Sequence, residues 1–342
     1  MINSKQKAQS AFKKLGAVAL ITATLTMCFT ACNQTGGTSL ILSPDNLTIR
    51  VRVKTANNSA VTVEGCTETT LANNVETELH AKGTKVVLRG NITELSCGGN
   101  KLTAINVQGL TSLQKLNCYN NQLTELNVQG CTSLQELWCS YNQLTAFNVQ
   151  GCASLQRLIC WDNKLTALDM HGLTALQALV CSDNQLTSLN VQGLTSLQKL
   201  DCSENQLTSL NVQGLTSLQK LDCSENQLTE LNVQGCTALQ GLYCDGNQLT
   251  SLNVQGLPAL KGLGCWSNQL NAQAMTELLK GLPAREEGDK AEAVLYTEEK
   301  DYTEGNCTDF TQPAELKTAL EGAKSRKWML KKFTADEGGV DF

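Results

Sequence analysis

A cysteine recurs every 21 residues through the middle of the chain, at Cys97, Cys118, Cys139, Cys160, Cys181, Cys202, Cys223, Cys244 and Cys265. Three residues after each stands an asparagine, from Asn100 and Asn121 through to Asn247 and Asn268. This period constrains the fold more than length does. A chain of 342 residues would ordinarily divide into two or three globular domains. A chain of near-identical short units instead stacks them, because no unit can bury its apolar face alone.

The unit reads L-x-x-L-x-C-x-x-N-x-L-T-x-L-N-V-x-G, as in Leu113 to Gly130. In the run L-x-x-L-x-C, Leu116 and Cys118 alternate inward while Lys115 and Asn117 point out, the signature of a short strand. Stacked strands form a parallel sheet with a spacing of about 4.8 Å, so nine coils span roughly 43 Å. The asparagine sits where the chain leaves the strand, and its amide can satisfy backbone groups of its own and a neighbouring coil. The return half, such as Leu123 to Val128, is too short and too β-branched for a helix and reads as extended. Gly130 and its equivalents permit a tight corner.

This pattern matches the leucine-rich-repeat signature, with cysteine in the third apolar slot. The expected fold is an α/β-type leucine-rich-repeat solenoid, mostly β: a curved right-handed coil with a parallel concave sheet. Repeats occupy 89–271. Residues 33–88, with alternating runs Leu47 to Val53 and Lys85 to Leu88, read as a β-rich N-terminal cap. After Asn268 the period breaks, and 272–342 read as an α/β C-terminal cap. Helices are expected over Ala272 to Leu282 and Ala314 to Ala323, strands over Ala291 to Thr297 and Trp328 to Phe333.

Residues 1–32 carry a basic stretch (Lys5, Lys7, Lys13, Lys14) followed by an apolar run from Leu15 to Ala31. The run is too short and too rich in Thr and Ala for a spanning helix, so it reads as an export signal. The boundary Phe29-Thr30-Ala31-Cys32 resembles a lipoprotein signal in which Cys32 becomes the acylated first residue; an ordinary secretory signal is the alternative. Either places the mature chain outside the cytoplasm, and the lipoprotein reading places it in the cell envelope. A net charge of −5 speaks against nucleic acid as a partner.

Sixteen cysteines in an exported chain would normally suggest disulfides. Equivalent side chains on adjacent parallel strands, however, sit about 4.8 Å apart, wider than the roughly 3.8 Å between Cβ atoms of a relaxed disulfide. The column therefore reads as a buried ladder of free thiols, and Cys131, Cys152 and Cys236, in a slot held elsewhere by leucine, as further core. Cys66 and Cys307 stay unassigned. No metal and no cofactor is expected, since the column lacks C-x-x-C spacing and the chain has two histidines.

A 21-residue repeat with a cysteine ladder resembles the internalin J-like surface proteins of bacteria, over roughly 89–271. The resemblance implies a protein without enzymatic activity that recognises a ligand on its concave face, as an adhesin does. The sequence has no LPxTG-type motif; with Cys32 it looks more like a Gram-negative outer-membrane lipoprotein of the Bacteroides and Porphyromonas type. A protein or glycan ligand and a lipid-anchored membrane are the expected partners.

The columns flanking the cysteines decide what that face offers. Before the cysteine stand Ser96, Asn117, Trp138, Ile159, Val180, Asp201, Asp222, Tyr243 and Gly264; after it Gly98, Tyr119, Ser140, Trp161, Ser182, Ser203, Ser224, Asp245 and Trp266. Tyr119, Trp138, Ile159, Trp161 and Val180 are expected to form one exposed apolar patch, flanked by Tyr141 and by the charges of Glu136 and Arg157. A contiguous aromatic patch points to recognition; shielding of the sheet by large side chains is the alternative. Ser188 to Thr208 repeats identically as Ser209 to Thr229 and reads as a duplicated spacer with little recognition. Catalysis is disfavoured: His80 and His171 lie apart from any nucleophile motif, and Asp201 and Asp222 read as a solvated ladder. A structural or assembly partner of other envelope proteins is the remaining class.

Overall fold

The computed structural model describes residues 37–336 and 338–342. The segment read as a signal, with Cys32 as lipidation site, lies outside the described residues.

Six strands precede the first coil: β1 (Gly37–Leu42), β2 (Thr48–Thr55), β3 (Val61–Glu64), β4 (Thr70–Leu71), β5 (Thr77–His80) and β6 (Lys85–Arg89). Alternation drives them; in β2, Ile49, Val51 and Val53 are buried while Arg50 and Arg52 face water. These strands close two sheets at once. β2 runs antiparallel to β7 (Ile92–Ser96), the first strand of the concave sheet. β1 runs antiparallel to β8 (Leu102–Asn106) on the return side. The first edge of each sheet, at the N-terminal end of the coil, therefore receives a hydrogen-bonding partner.

From β7 the concave sheet continues in parallel through β9 (Lys115–Asn117), β11 (Glu136–Trp138), β13 (Arg157–Ile159) and β14 (Ala178–Val180). It goes on through β15 (Lys199–Asp201), β16 (Lys220–Asp222), β17 (Gly241–Tyr243) and β18 (Gly262–Gly264). Each short strand ends one residue before its cysteine. The expected extended return half is only partly paired: β10 (Glu125–Asn127) and β12 (Ala146–Asn148) join β8, and later returns are linked by one bridge, Asn211 to Asn232. A side-chain bond recurs in paired and unpaired returns alike. The Oδ1 of Asn127 accepts the Gln129 N–H at 2.8 Å, and Asn148, Asp169, Asn190, Asn211, Asn232 and Asn253 repeat the bond. The corner glycines that follow take positive φ, and at Gly130 a Cβ would come within 3.3 Å of the Gly109 Cα.

The asparagine column holds the coils together. Asn163 is typical: its Nδ2 donates to the carbonyls of Cys139 and Cys160, each at 3.1 Å, while its Oδ1 accepts the Leu144 N–H at 3.0 Å. One buried amide thus bonds the preceding coil in both directions. At the start, Asn100 reaches the cap instead, accepting from the Arg50 N–H and donating to the Arg50 carbonyl. At the far end the ladder outlasts the repeat: Asn306 accepts from Leu270 N–H and donates to the carbonyls of Cys265 and Leu295.

All fourteen described cysteines are free thiols. Burial pushes the ladder thiols upward, Cys118 and Cys160 to about 12. Their backbone N–H groups donate to the next coil, as Cys118 does to Trp138 at 2.9 Å. Cys131, Cys152 and Cys236 donate their thiols back to the carbonyls of Val107, Val128 and Val212, at 3.1, 3.5 and 3.2 Å. A leucine in that slot fills the same space without that bond.

After β18 come α1 (Ala272–Gly281), β19 (Glu292–Thr297), α2 (Ala314–Ser325), β20 (Met329–Phe333) and β21 (Val340–Asp341). Asn271 caps α1, accepting the Ala274 N–H. β19 and β20 add to the concave sheet in parallel, and the short antiparallel β21 ends it. Removing one ladder amide should cost the stack more than a surface change. Asn163→Ala orphans the buried Leu144 N–H, while the carbonyls of Cys139 and Cys160 keep the amides of Asn142 and Asn184, a loss of about 1–3 kcal/mol. Urea denaturation measures it, and a loss below about 1 kcal/mol would show that water replaces the amide.

Candidate ligand-binding face

The parallel register lines up the outward residues into rows. Asn117, Trp138, Ile159, Val180, Asp201, Asp222, Tyr243 and Gly264 follow one another across the sheet, and Lys115, Glu136, Arg157, Ala178, Lys199, Lys220, Gly241 and Gly262 form the row two residues earlier. Trp138 is 42% exposed, and Ile159 and Val180 beside it are half-buried. Glu136 pairs with Lys115 at 3.2 Å, while Arg157 is exposed and forms no ion pair among the described residues.

The expected single patch divides into two. Trp138, Ile159 and Val180 make a stripe on the strand face. Tyr119, Tyr141 and Trp161 make a chain of rings along the rim where the strands end: Tyr119 meets Tyr141 edge-on at 5.5 Å, and Tyr141 meets Trp161 at 4.3 Å. Ser140, read from sequence as outward, is 1% exposed, and Tyr141 takes the outer place. Every coil from Gly99 to Ser267 has positive φ at this position, two residues after the cysteine; Tyr141 does so at 53°. Other coils use Gly, Asn, Asp, Glu or Ser there. A bulky side chain in the left-handed region costs energy that the turn does not require.

A cavity of about 210 Å³ opens beside Trp138, lined also by Glu136, Lys115, Asn117, Glu94 and, from the cap, Arg52 and Lys54. Lys54 pairs with Glu94 at 2.9 Å. The cap residues escaped the sequence reading because the antiparallel pairing of β2 with β7 is not part of the repeat. The exposed alternate positions of β2, Arg50, Arg52 and Lys54, are the signal that could have found them.

Trp266, also expected outward, is 7% exposed and stacks on Phe333 at 4.1 Å, with Tyr302 edge-on at 4.7 Å. The cap strands extend the sheet past it. Gly264 is covered as well, since a Cβ there would lie 3.1 Å from Asp245 Oδ1 and 3.2 Å from the Tyr243 ring. Asp201 and Asp222 are half-buried rather than solvated, each accepting the hydroxyl of the next serine, Ser203 at 2.9 Å and Ser224 at 2.7 Å. Asp162, Asp183, Glu204 and Glu225 continue the rim position of Tyr141, an acidic row that a count at two residues past each cysteine would have revealed.

Acidity concentrates near Asp245. Burial, with Asp222 and Glu225 close by, pushes its carboxyl up to about 7, and burial also raises Asp222 and Glu225. Among the described residues no group of three or more His, Cys, Asp or Glu converges to hold a metal ion. His80 is bound by Glu68 at 2.8 Å, which raises its pKa, and His171 is exposed on a return segment.

Fold and rows together define a leucine-rich-repeat solenoid, mostly β, with an open concave face. A family model for leucine rich repeats matches residues 111–151 and 195–235. No curated protein matches the chain by sequence. Among solved structures it is similar to the functional domain of InlJ from Listeria monocytogenes, which includes a cysteine ladder: 27% identity over 68% of this chain and 62% of that one, TM-score 0.40. It is also similar to YopM from Yersinia enterocolitica, at 27% identity over 52% of this chain and 38% of that one, TM-score 0.46. YopM from Yersinia pestis, a leucine-rich effector protein, gives 23% identity over 60% of this chain and 54% of that one, TM-score 0.49. The chain thus spans less than two thirds of each of these proteins.

The raised Asp245 has a measurable consequence. An unfolded aspartate ionises near pH 4, whereas in the fold the proton stays until about 7. Between those values the folded chain holds the extra proton, so stability falls as pH rises through that window. Asp245→Asn removes the slope. Its urea midpoint should gain on the wild type between pH 4 and pH 8; a constant gap would show that Asp245 does not titrate there.

Proposed function

We propose that this chain is a non-enzymatic recognition protein of the cell envelope, binding a protein or glycan through the first coils of its concave face. The observation that carries the reading is Tyr141. The turn it occupies needs a residue tolerant of positive φ, yet it holds a ring that is 39% exposed and ordered between Tyr119 and Trp161. Trp138, Ile159 and Val180 on the neighbouring face, with Glu136 and Arg157 as polar rim, supply the rest of the contact area. The ladder thiols, protonated by burial, offer no nucleophile.

Adhesion is the finer form of this reading, with Cys32 as a lipid anchor in an outer membrane and the repeats facing outward. Among the described residues no helix is long and apolar enough to cross a membrane. A structural or assembly role, with the same face holding another envelope protein, is the second reading. Surface labelling of intact cells separates them: labelled protein supports adhesion, and protection supports a periplasm-facing partner.

Trp138→Ala with Trp161→Ala should abolish capture of the cognate ligand while shifting the thermal melt little. Tyr141→Asn is the sharper variant. Asn suits the left-handed turn better, so stability should hold or rise by about 1 kcal/mol while affinity falls. Binding unchanged in both variants would reject the site.

A further inference from the structure

Far from the aromatic rings, where the last coils meet the C-terminal cap, the concave face holds a depression of about 400 Å³. Its floor is specifically built. The Tyr243 ring lies along Gly241 and Gly262, where a Cβ would come within 3.2 Å of Tyr243 Cε2 and Oη respectively. The same row carries Lys199 and Lys220 on the two preceding coils, so glycine here clears space directly beside two lysines.

Charge around this floor is unbalanced. Lys220, Lys261 and Lys290 line it. Among the described residues none of the three forms an ion pair with a carboxylate; Lys220 instead stands 4.9 Å over the Tyr243 ring. The two acids at its margin are engaged elsewhere, Asp289 with Arg285 at 3.8 Å and Glu292 with Lys331 at 2.8 Å. The Tyr243 hydroxyl, above Gly262, makes no hydrogen bond to a described residue and is a free donor. In a chain of net charge −5, three unpaired ammonium groups and a phenol facing one cleared space form an anion-binding arrangement.

We propose that this depression receives the carboxylate of an acidic side chain on a protein partner. Lysine and a phenol suit a single carboxylate; sulfate or phosphate chains are matched better by the arginine fork, and no arginine lines the space. An extended polyanion would also run onto Asp222, Asp245 and Glu225, whereas a polypeptide can set one acidic group among neutral or basic neighbours. The inference rests on the concave-face reading only in taking the partner to be a protein. From β11, which bears Trp138, to β17 is five strand steps, about 24 Å at the usual spacing. A partner using both regions carries its acidic group at that distance from its apolar one.

The test titrates the full chain with a short peptide holding two glutamates in a Gly/Ser background, and with its glutamine counterpart. Saturable, salt-sensitive binding of the glutamate peptide alone is expected. Lys261→Glu with Lys290→Glu should weaken it about tenfold or more, with the thermal melt confirming the fold. Lys199→Glu, on the same face outside the depression, should change it far less. The Trp138→Ala and Trp161→Ala pair should bind the peptide as the wild type does, so failure of the aromatic site and failure of this one read differently. Equal binding of the glutamine peptide, or of the Lys261 and Lys290 variant, overturns the proposal. So does a heparin hexasaccharide that binds more tightly and is lost in that same variant, which would assign the space to a polyanionic glycan.

Discussion

The buried amide of each ladder asparagine is the interaction on which the rest of the molecule depends. A coil of 21 residues with three-residue strands cannot satisfy its turn by backbone pairing alone. One side chain with two donors and an acceptor does so for two coils simultaneously, as Asn163 does between Cys139, Cys160 and Leu144. The bond also fixes translation along the stack. Each amide must meet the carbonyl of the preceding cysteine, so the register of the concave sheet, and with it every outward row, is set from inside.

That division of labour explains the cysteines. The slot after each strand is fully buried, and a thiol fills it as a small apolar body with a weak donor. In the ladder it points toward the next coil's carbonyl, as Cys202 does to Asp222 at 3.5 Å. Chemistry is absent there for the same reason that packing is good: burial holds the proton on sulfur. Trp138, Tyr119 and Tyr141 stand instead at outward positions that the packing of the coil does not use.

What could be read in advance follows from this separation. The columns of Cys, Asn and Leu are periodic, so the sequence alone exposed the solenoid, the inward ladder and the flat sheet rows. The boundaries of those rows were not legible. Ser140 and Trp266 fall in an outward column by count, yet both are buried, Ser140 in a coil where Tyr141 takes the outer place and Trp266 under Phe333 and Tyr302 from the cap. Likewise Asn306 does the work of a tenth ladder residue 38 positions after Asn268, where no spacing rule could have placed it. The aperiodic caps close the ends by tertiary contact, and tertiary contact leaves no period in a sequence.

The identical pair of coils, Ser188 to Thr208 and Ser209 to Thr229, joins the aromatic rings to the lysine-lined depression, and its second copy gives Lys220 to the latter, a lysine that the first copy matches with Lys199. Since each amide bonds only its neighbour, adding or deleting one such unit leaves both flanking regions intact. It alters their separation by one strand step of about 4.8 Å and rotates them slightly about the coil axis. The duplicated stretch therefore works as a vernier: unequal recombination within it would regauge the molecule for a longer or shorter partner in fixed increments, with no new contact having to be invented.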